Sequence, residues 1–292
     1  MKFNILFFIF PVCILWSACN IINPPEKIPT YIHIDSFKFT NTEPGRVGSS
    51  SHAITSVWVT YNGTLVGTYD LPATIPIIAT ANGSLNLGAG ITVNGMYNFE
   101  SVYPFYNYDT STLVAQPGKT ITYLPTTSYF GALADTFRFM ENFEDANSFV
   151  SDSSTGHVVS MHRTNYPDSV FEGQWSGAIE LKSINDSAQI RTDSFALPGG
   201  PAFCEFNYKG TANLVFGFNA FLVVDSIRNQ NLTYFYGFNA SPDVWKKMYV
   251  SLADLAAAYS GGNYQVYFKV TLAPGQTSGY ILLDNVKVVG SR

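Results

Sequence analysis

Apolar and polar residues alternate along most of this chain with the two-residue period of a pleated strand. In Tyr31–Phe39 the residues Ile32 and Ile34, then Phe37 and Phe39, are apolar, with a phase slip at Asp35-Ser36 that reads as a bulge. Ile54, Val57, Val59 and Tyr61 lead into Asn62-Gly63, and Leu65–Tyr69 returns. Asn-Gly between two such runs predicts a type I′ hairpin, because both central residues need positive φ. Further on, Cys204, Phe206 and Tyr208 alternate with Glu205, Asn207 and Lys209, and Phe216 and Phe218 with Gly217 and Asn219. Tyr234, Tyr236 and Phe238 read as core, opposed by Phe235, Gly237 and Asn239; Tyr264, Val266 and Phe268 oppose Gln265, Tyr267 and Lys269. Only Ala253–Tyr259 carries a helical signal, closed by Gly261-Gly262. The prediction is an all-β chain of two β-sandwich domains, the second a jelly roll.

A different pattern opens the chain. One basic residue, Lys2, precedes an apolar run from Phe3 to Leu15 and then Trp16-Ser17-Ala18-Cys19. The run is too short to span a bilayer and has the layout of a secretory signal peptide over residues 1–18. A cysteine directly after Ser17-Ala18 resembles a bacterial lipobox, although Trp16 departs from the usual small or aliphatic residue. That resemblance implies acylation at Cys19, such as palmitate, and the membrane as a partner through the lipid. The competing reading makes Cys19 an ordinary residue after a plain cleavage site. Residues 19–29 carry three prolines, Pro24, Pro25 and Pro29, and read as an extended tether.

Two resemblances divide the rest. Val57–Ile77, with its Asn62-Gly63 hairpin and proline-bounded strand, resembles PEGA-type and prealbumin-like modules, which implies a spacer over residues 30–133. Residues 134–292 open with Phe137–Asp145, carry Gly173–Leu181 and Trp245–Leu255, and close on Leu283-Asp284-Asn285-Val286. That order resembles the galactose-binding-like jelly roll shared by many carbohydrate-binding modules. It implies a structural calcium ion, the one cofactor expected, held by Glu144 and Asp284; the other reading is a carboxylate that caps a loop. The chain resembles a Bacteroidetes-type outer-membrane lipoprotein: Asn20 after the cysteine is compatible with outer-membrane sorting, but the tether lacks the acidic cluster of many surface-displayed members, which leaves the exposed side of the membrane open.

Composition narrows the partners. Charged residues make up only 13% of the chain and aromatics 15%, with a net charge of −5 that becomes −6 once Lys2 leaves with the leader. Without clustered Lys and Arg the chain lacks the footprint of a nucleic-acid binder. Cys13 and Cys19 belong to the leader and the proposed anchor, so Cys204 has no partner and is expected to pack as a small apolar residue.

Catalytic patterns are missing. Gly173–Gly177 places its serine one position too late for a nucleophile elbow, and His33, His52, His157 and His162 have no metal-ligand spacing. Glu141 and Asp145 share a strand face about 13 Å apart, too far for a glycosidase pair. A non-enzyme is expected. If the second-half strands share a sheet, its outer face gathers Asn207, Asn219, Phe235, Asn239, Gln265 and Tyr267. Amides with a few aromatics can bind a sugar; an ordinary polar sheet face is the other reading. Two functions therefore stand: a non-catalytic envelope lipoprotein whose jelly roll binds a glycan or an envelope partner, or a structural assembly protein with no small ligand.

Overall fold

A computed structural model describes residues 26–41, 44–130, 137–152, 157–197, 199–224, 227–258 and 262–291. The leader, Cys19 and the expected boundary at 133/134 lie outside the described residues. The chain is all-β, and two packed sheets form its second half. One has six strands: His162–Thr164, Ser176–Leu181, Gly279–Gly290, Ala202–Gly210 and Ser241–Ser251 in spatial order, with Phe137–Glu141 also on Gly279–Gly290. The other has seven: Val150–Ser151, Asp186–Arg191, Asn263–Thr271, Asn213–Val224 and Ile227–Phe238, with His157–Val158 and Phe195–Ala196 at its margins. Cys204, Phe206, Val286 and Val288 from the first sheet meet Phe216, Phe218, Val266 and Phe268 from the second in a hydrophobic core. Cys204 is buried there as a free thiol. A helix runs Ala253–Ala258, within the stretch expected to be helical, and a short one that the sequence reading did not expect runs Pro44–Val47.

The first half is built from smaller sheets. Thr64–Asp70, Ile54–Tyr61, Gly83–Thr92 and Glu100–Val102 form one, with Asp109–Leu113 also paired to Gly83–Thr92. Ala73–Ile77, Thr30–Ile34 and Thr120–Thr122 form another. Val57, Val59, Leu85 and Leu87 pack with Ile32, Ile34, Ile75 and Ile77 between them. The Asn62-Gly63 hairpin has φ of 50° and 79°, the positive values its turn requires. The phase slip at Asp35-Ser36 is not a bulge. The strand ends at Ile34, and Lys38–Phe39 pairs with Thr126–Thr127 in a separate two-stranded sheet.

The two halves share one core surface. Phe203, Tyr249 and Val289, from the outer face of the six-stranded sheet, belong to the hydrophobic cluster of the first half. Glu205 on the same face is fully buried, with Lys247 Nζ 2.8 Å from its Oε2. Tyr129 Oη donates to both carboxylate oxygens at 2.8 and 2.7 Å, and Tyr103 Oη donates to Oε1. Burial alone would raise the Glu205 pKa; Lys247 and Lys287 outweigh it and hold the carboxyl below its ordinary value. Lys287 donates to Ser49 O at 3.1 Å, and burial, then Lys247, lowers its pKa to about 7. A carboxylate between two ammonium groups, with phenols satisfying its lone pairs, is how a charge cluster survives without water.

Candidate functional site

The expected sugar face is not one surface, and Asn207, Asn219, Gln265 and Tyr267 are buried. Asn207 lies on the six-stranded sheet, whereas Asn219, Phe235, Gln265 and Tyr267 lie on the seven-stranded one. Asn207 is buried against the first half, where its Nδ2 donates to Ser51 Oγ at 3.0 Å. Asn219 and Gln265 face each other across the ladder and are buried, Asn219 Nδ2 reaching Gln265 Oε1 at 3.4 Å. Gln265 Nε2 donates onward to Thr192 O at 3.2 Å, so these amides serve each other and the backbone. Tyr267, opposite Gly217, is 5% exposed. Phe235 has no partner in the ladder: Tyr236 pairs with Phe216 and Tyr234 with Gly217. This bulge shifts the alternation by one residue, so Tyr234 no longer shares the register phase of Tyr236 and Phe238. Asn239 lies past the strand end, exposed, its carbonyl accepting from Tyr208 Oη.

Glu144 and Asp284, the expected calcium pair, each have hydrogen-bond partners within the protein. Glu144 Oε1 accepts backbone N–H groups from Gln174 and Trp175 at 2.9 and 3.1 Å. Asp284 is buried, with Oδ2 accepting from Ser176 Oγ and Oδ1 from Asn285 N, each at 2.6 Å. Both carboxylates therefore accept hydrogen bonds from N–H or O–H donors of the protein. Among the described residues no three His, Cys, Asp or Glu side chains group as a metal site. Burial raises the Asp284 pKa to about 7, against the pull of Ser176 and the backbone donors. Trp175 and Trp245 pack rather than present: Arg163 lies over the first at 4.3 Å, and Phe171 meets the second at 5.3 Å.

An open groove of about 620 Å³ lies elsewhere on the outer face of the six-stranded sheet. Buried Ala178 and Leu282, adjacent in register, form an apolar floor. The next row pairs Glu180 with Tyr280. Tyr166 stands at the rim, 73% exposed, on a turn fixed by Ser169 N to Tyr166 O and by Lys209 Nζ to Asp168 O at 3.1 Å. Gln276 stiffens another wall: its Nε2 donates to Thr211 O at 3.0 Å, and its Oε1 accepts from Ala273 N at 2.9 Å. Glu180 pairs with Lys182 at 3.0 Å. Two tyrosines over an apolar strip, ringed by hydroxyl, amide and charged groups, can stack on the C–H face of a pyranose and bond its hydroxyls. Glu180 is the one carboxylate among the described lining residues, where glycoside hydrolysis uses two. Sequence reasoning missed this groove. Tyr166 and Tyr280 stand 114 positions apart in the chain (280 minus 166) with no local pattern joining them.

No protein-family model and no curated protein sequence matches the chain. Solved structures do. A family 11 carbohydrate-binding module from Clostridium thermocellum, in complex with a mixed-linked tetrasaccharide, aligns over 53% of this chain and 96% of its own at 15% identity and a TM-score of 0.36. A structure from a study of promiscuous carbohydrate-binding modules of the β-sandwich superfamily aligns over 91% of this chain and all of its own, at 15% identity and a TM-score of 0.40. The enzymatically active domain of tailspike protein 4 of bacteriophage CBA120 aligns over 51% of this chain at 16% identity and a TM-score of 0.39; the match spans a fifth of that protein.

Proposed function

We propose that this chain is a non-catalytic glycan-binding protein of the cell envelope, held to an outer membrane by lipid on Cys19. The observation that carries the reading is the groove over Ala178 and Leu282, with Tyr166 held exposed on a braced turn. An exposed ring is costly to leave in water, and a sugar face is a natural cover for it. The pairing of Glu180 with Lys182 gives the groove both an acceptor and a donor of charge-assisted hydrogen bonds without a net field.

The test is electrophoresis of the protein through gels holding neutral and acidic polysaccharides. Retardation that weakens in Tyr166→Ala and in Tyr280→Ala, at unchanged melting temperature, is expected. Equal mobility of parent and variants in every gel would count against glycan binding in this groove and favour an assembly role. The anchor is tested separately by Cys19→Ala in cells, which should move the protein out of the membrane fraction.

A further inference from the structure

The first half carries a second concavity, which the groove reading leaves unused. It encloses about 630 Å³ and is lined by Trp58, Tyr97, Asp70, Glu100, Thr55 and Thr92 among others. Trp58 sits in a row with Thr68 and Gly88 across the sheet. Thr55 Oγ1 donates to Glu100 Oε1 at 3.0 Å and lies 3.4 Å from Thr92 Oγ1, so this carboxylate is oriented before any ligand arrives.

The loop carrying Tyr97 is built to hold that ring out. Within it Asn94, Gly95 and Asn98 have φ of 58°, 68° and 72°, a conformation asparagine and glycine tolerate best. Three backbone hydrogen bonds close it: Met96 N to Val93 O, Phe99 N to Met96 O and Val93 N to Phe99 O. Asn94 fastens it to the jelly roll, its Oδ1 accepting from Ser251 N at 2.8 Å and its Nδ2 donating to Tyr236 Oη at 3.0 Å. The outcome is a braced loop on which Tyr97 is 90% exposed and Phe99 50% exposed.

We propose that this concavity is a second carbohydrate site, taking a neutral pyranose chain, so that the first half binds ligand in its own right. Trp58 and Tyr97 supply stacking surface, and the threonines hydroxyl partners. Asp70 and Glu100 accept hydrogen bonds from sugar hydroxyls. No lining side chain among the described residues is cationic, which disfavours acidic polysaccharides. A small quaternary ammonium ion would suit the rings and carboxylates but would make no use of the threonine hydroxyls.

The experiment uses the full chain and the variants Tyr97→Ala, Asp70→Asn, Tyr166→Ala and Tyr97→Ala with Tyr166→Ala, in gels of neutral β-glucan, xylan, galactan and mannan. Retardation that survives Tyr166→Ala and weakens roughly ten-fold when Tyr97→Ala is added is expected, with Asp70→Asn weakening the same gel. Weakening by Tyr97→Ala with none by Tyr166→Ala supports this site and removes the groove reading. Loss of all retardation in Tyr166→Ala alone overturns this site and leaves the groove standing. Tyr97→Ala and Asp70→Asn both matching the parent in every gel, or no retardation of the parent, also overturns it. So does a result in which Tyr97→Ala lowers only the affinity for tetramethylammonium, measured by calorimetry.

Discussion

The outer face of the six-stranded sheet is used in two opposite ways. Around Glu205, Lys247, Lys287, Phe203 and Tyr249 it is sealed beneath the first half, and its charges are matched to phenols and to each other. Around Ala178, Glu180, Tyr280 and Leu282 it is open, and its polar groups face solvent. Asp284, Ser176 and Asn207 lie along the seam. Both regions mix aromatic and charged side chains, so composition does not separate them. Burial does: covered, such groups must satisfy one another and become structural, whereas open they can satisfy a ligand.

The sharpest break in this comparison is Glu205→Ala. It leaves two buried ammonium groups without their carboxylate and should destabilise the protein by about 3–5 kcal/mol in urea unfolding. A loss within error of zero would mean that the charge cluster is not sealed.

The next effect is read against pH. Asp284 has its pKa raised from 3.8 to about 7, so the folded chain holds a proton there that the unfolded chain releases. Its contribution is fully present below the unfolded value and is lost as pH rises through the folded one, at up to about 1.4 kcal/mol per pH unit. Lys287 acts in the other direction. Its pKa falls from 10.5 to about 7, so the folded chain sheds a proton that the unfolded chain keeps, and stability rises between those values. Asp284→Asn should flatten the decline between pH 4 and 7, and Lys287→Met the rise above pH 7, in denaturation series across that range. Unchanged slopes would show that neither group titrates as its burial requires.

Tyr103→Phe should cost about 1.5–3 kcal/mol, because it removes one hydrogen bond to the Glu205 carboxylate from a buried site. The smallest effect belongs to the open region. Tyr166→Ala should shift stability by less than about 0.5 kcal/mol, since the ring is exposed, while weakening retention in a polysaccharide gel. A large fall in stability there would make the groove a structural feature like its covered neighbour.

Much of the local structure was legible in the chain. Asn62-Gly63 placed a hairpin through its need for positive φ, and alternation sorted Cys204, Phe206 and Tyr208 from Glu205, Asn207 and Lys209. Both signals are local, since turn sterics and strand pleat depend on a few neighbouring residues. Alternation failed at Phe235, where a bulge in the pairing with Asn213–Val224 changed the phase. It could say which residues left the core face but not what they met there. Asn207 met Ser51, 156 positions away, and Asn219 and Gln265 met each other, so none of the three became an open sugar contact.

The sequence by itself determined an all-β chain, where its main turn falls and which residues point into the jelly-roll core, because each of these follows from period and backbone sterics. Only the tertiary structure decided that one sheet face is half interface and half groove, and that Tyr166 and Tyr280 line one concavity while Trp58 and Tyr97 line another. Those neighbours are distant in the chain, and whether a polar or aromatic face is sealed or open depends on what packs over it.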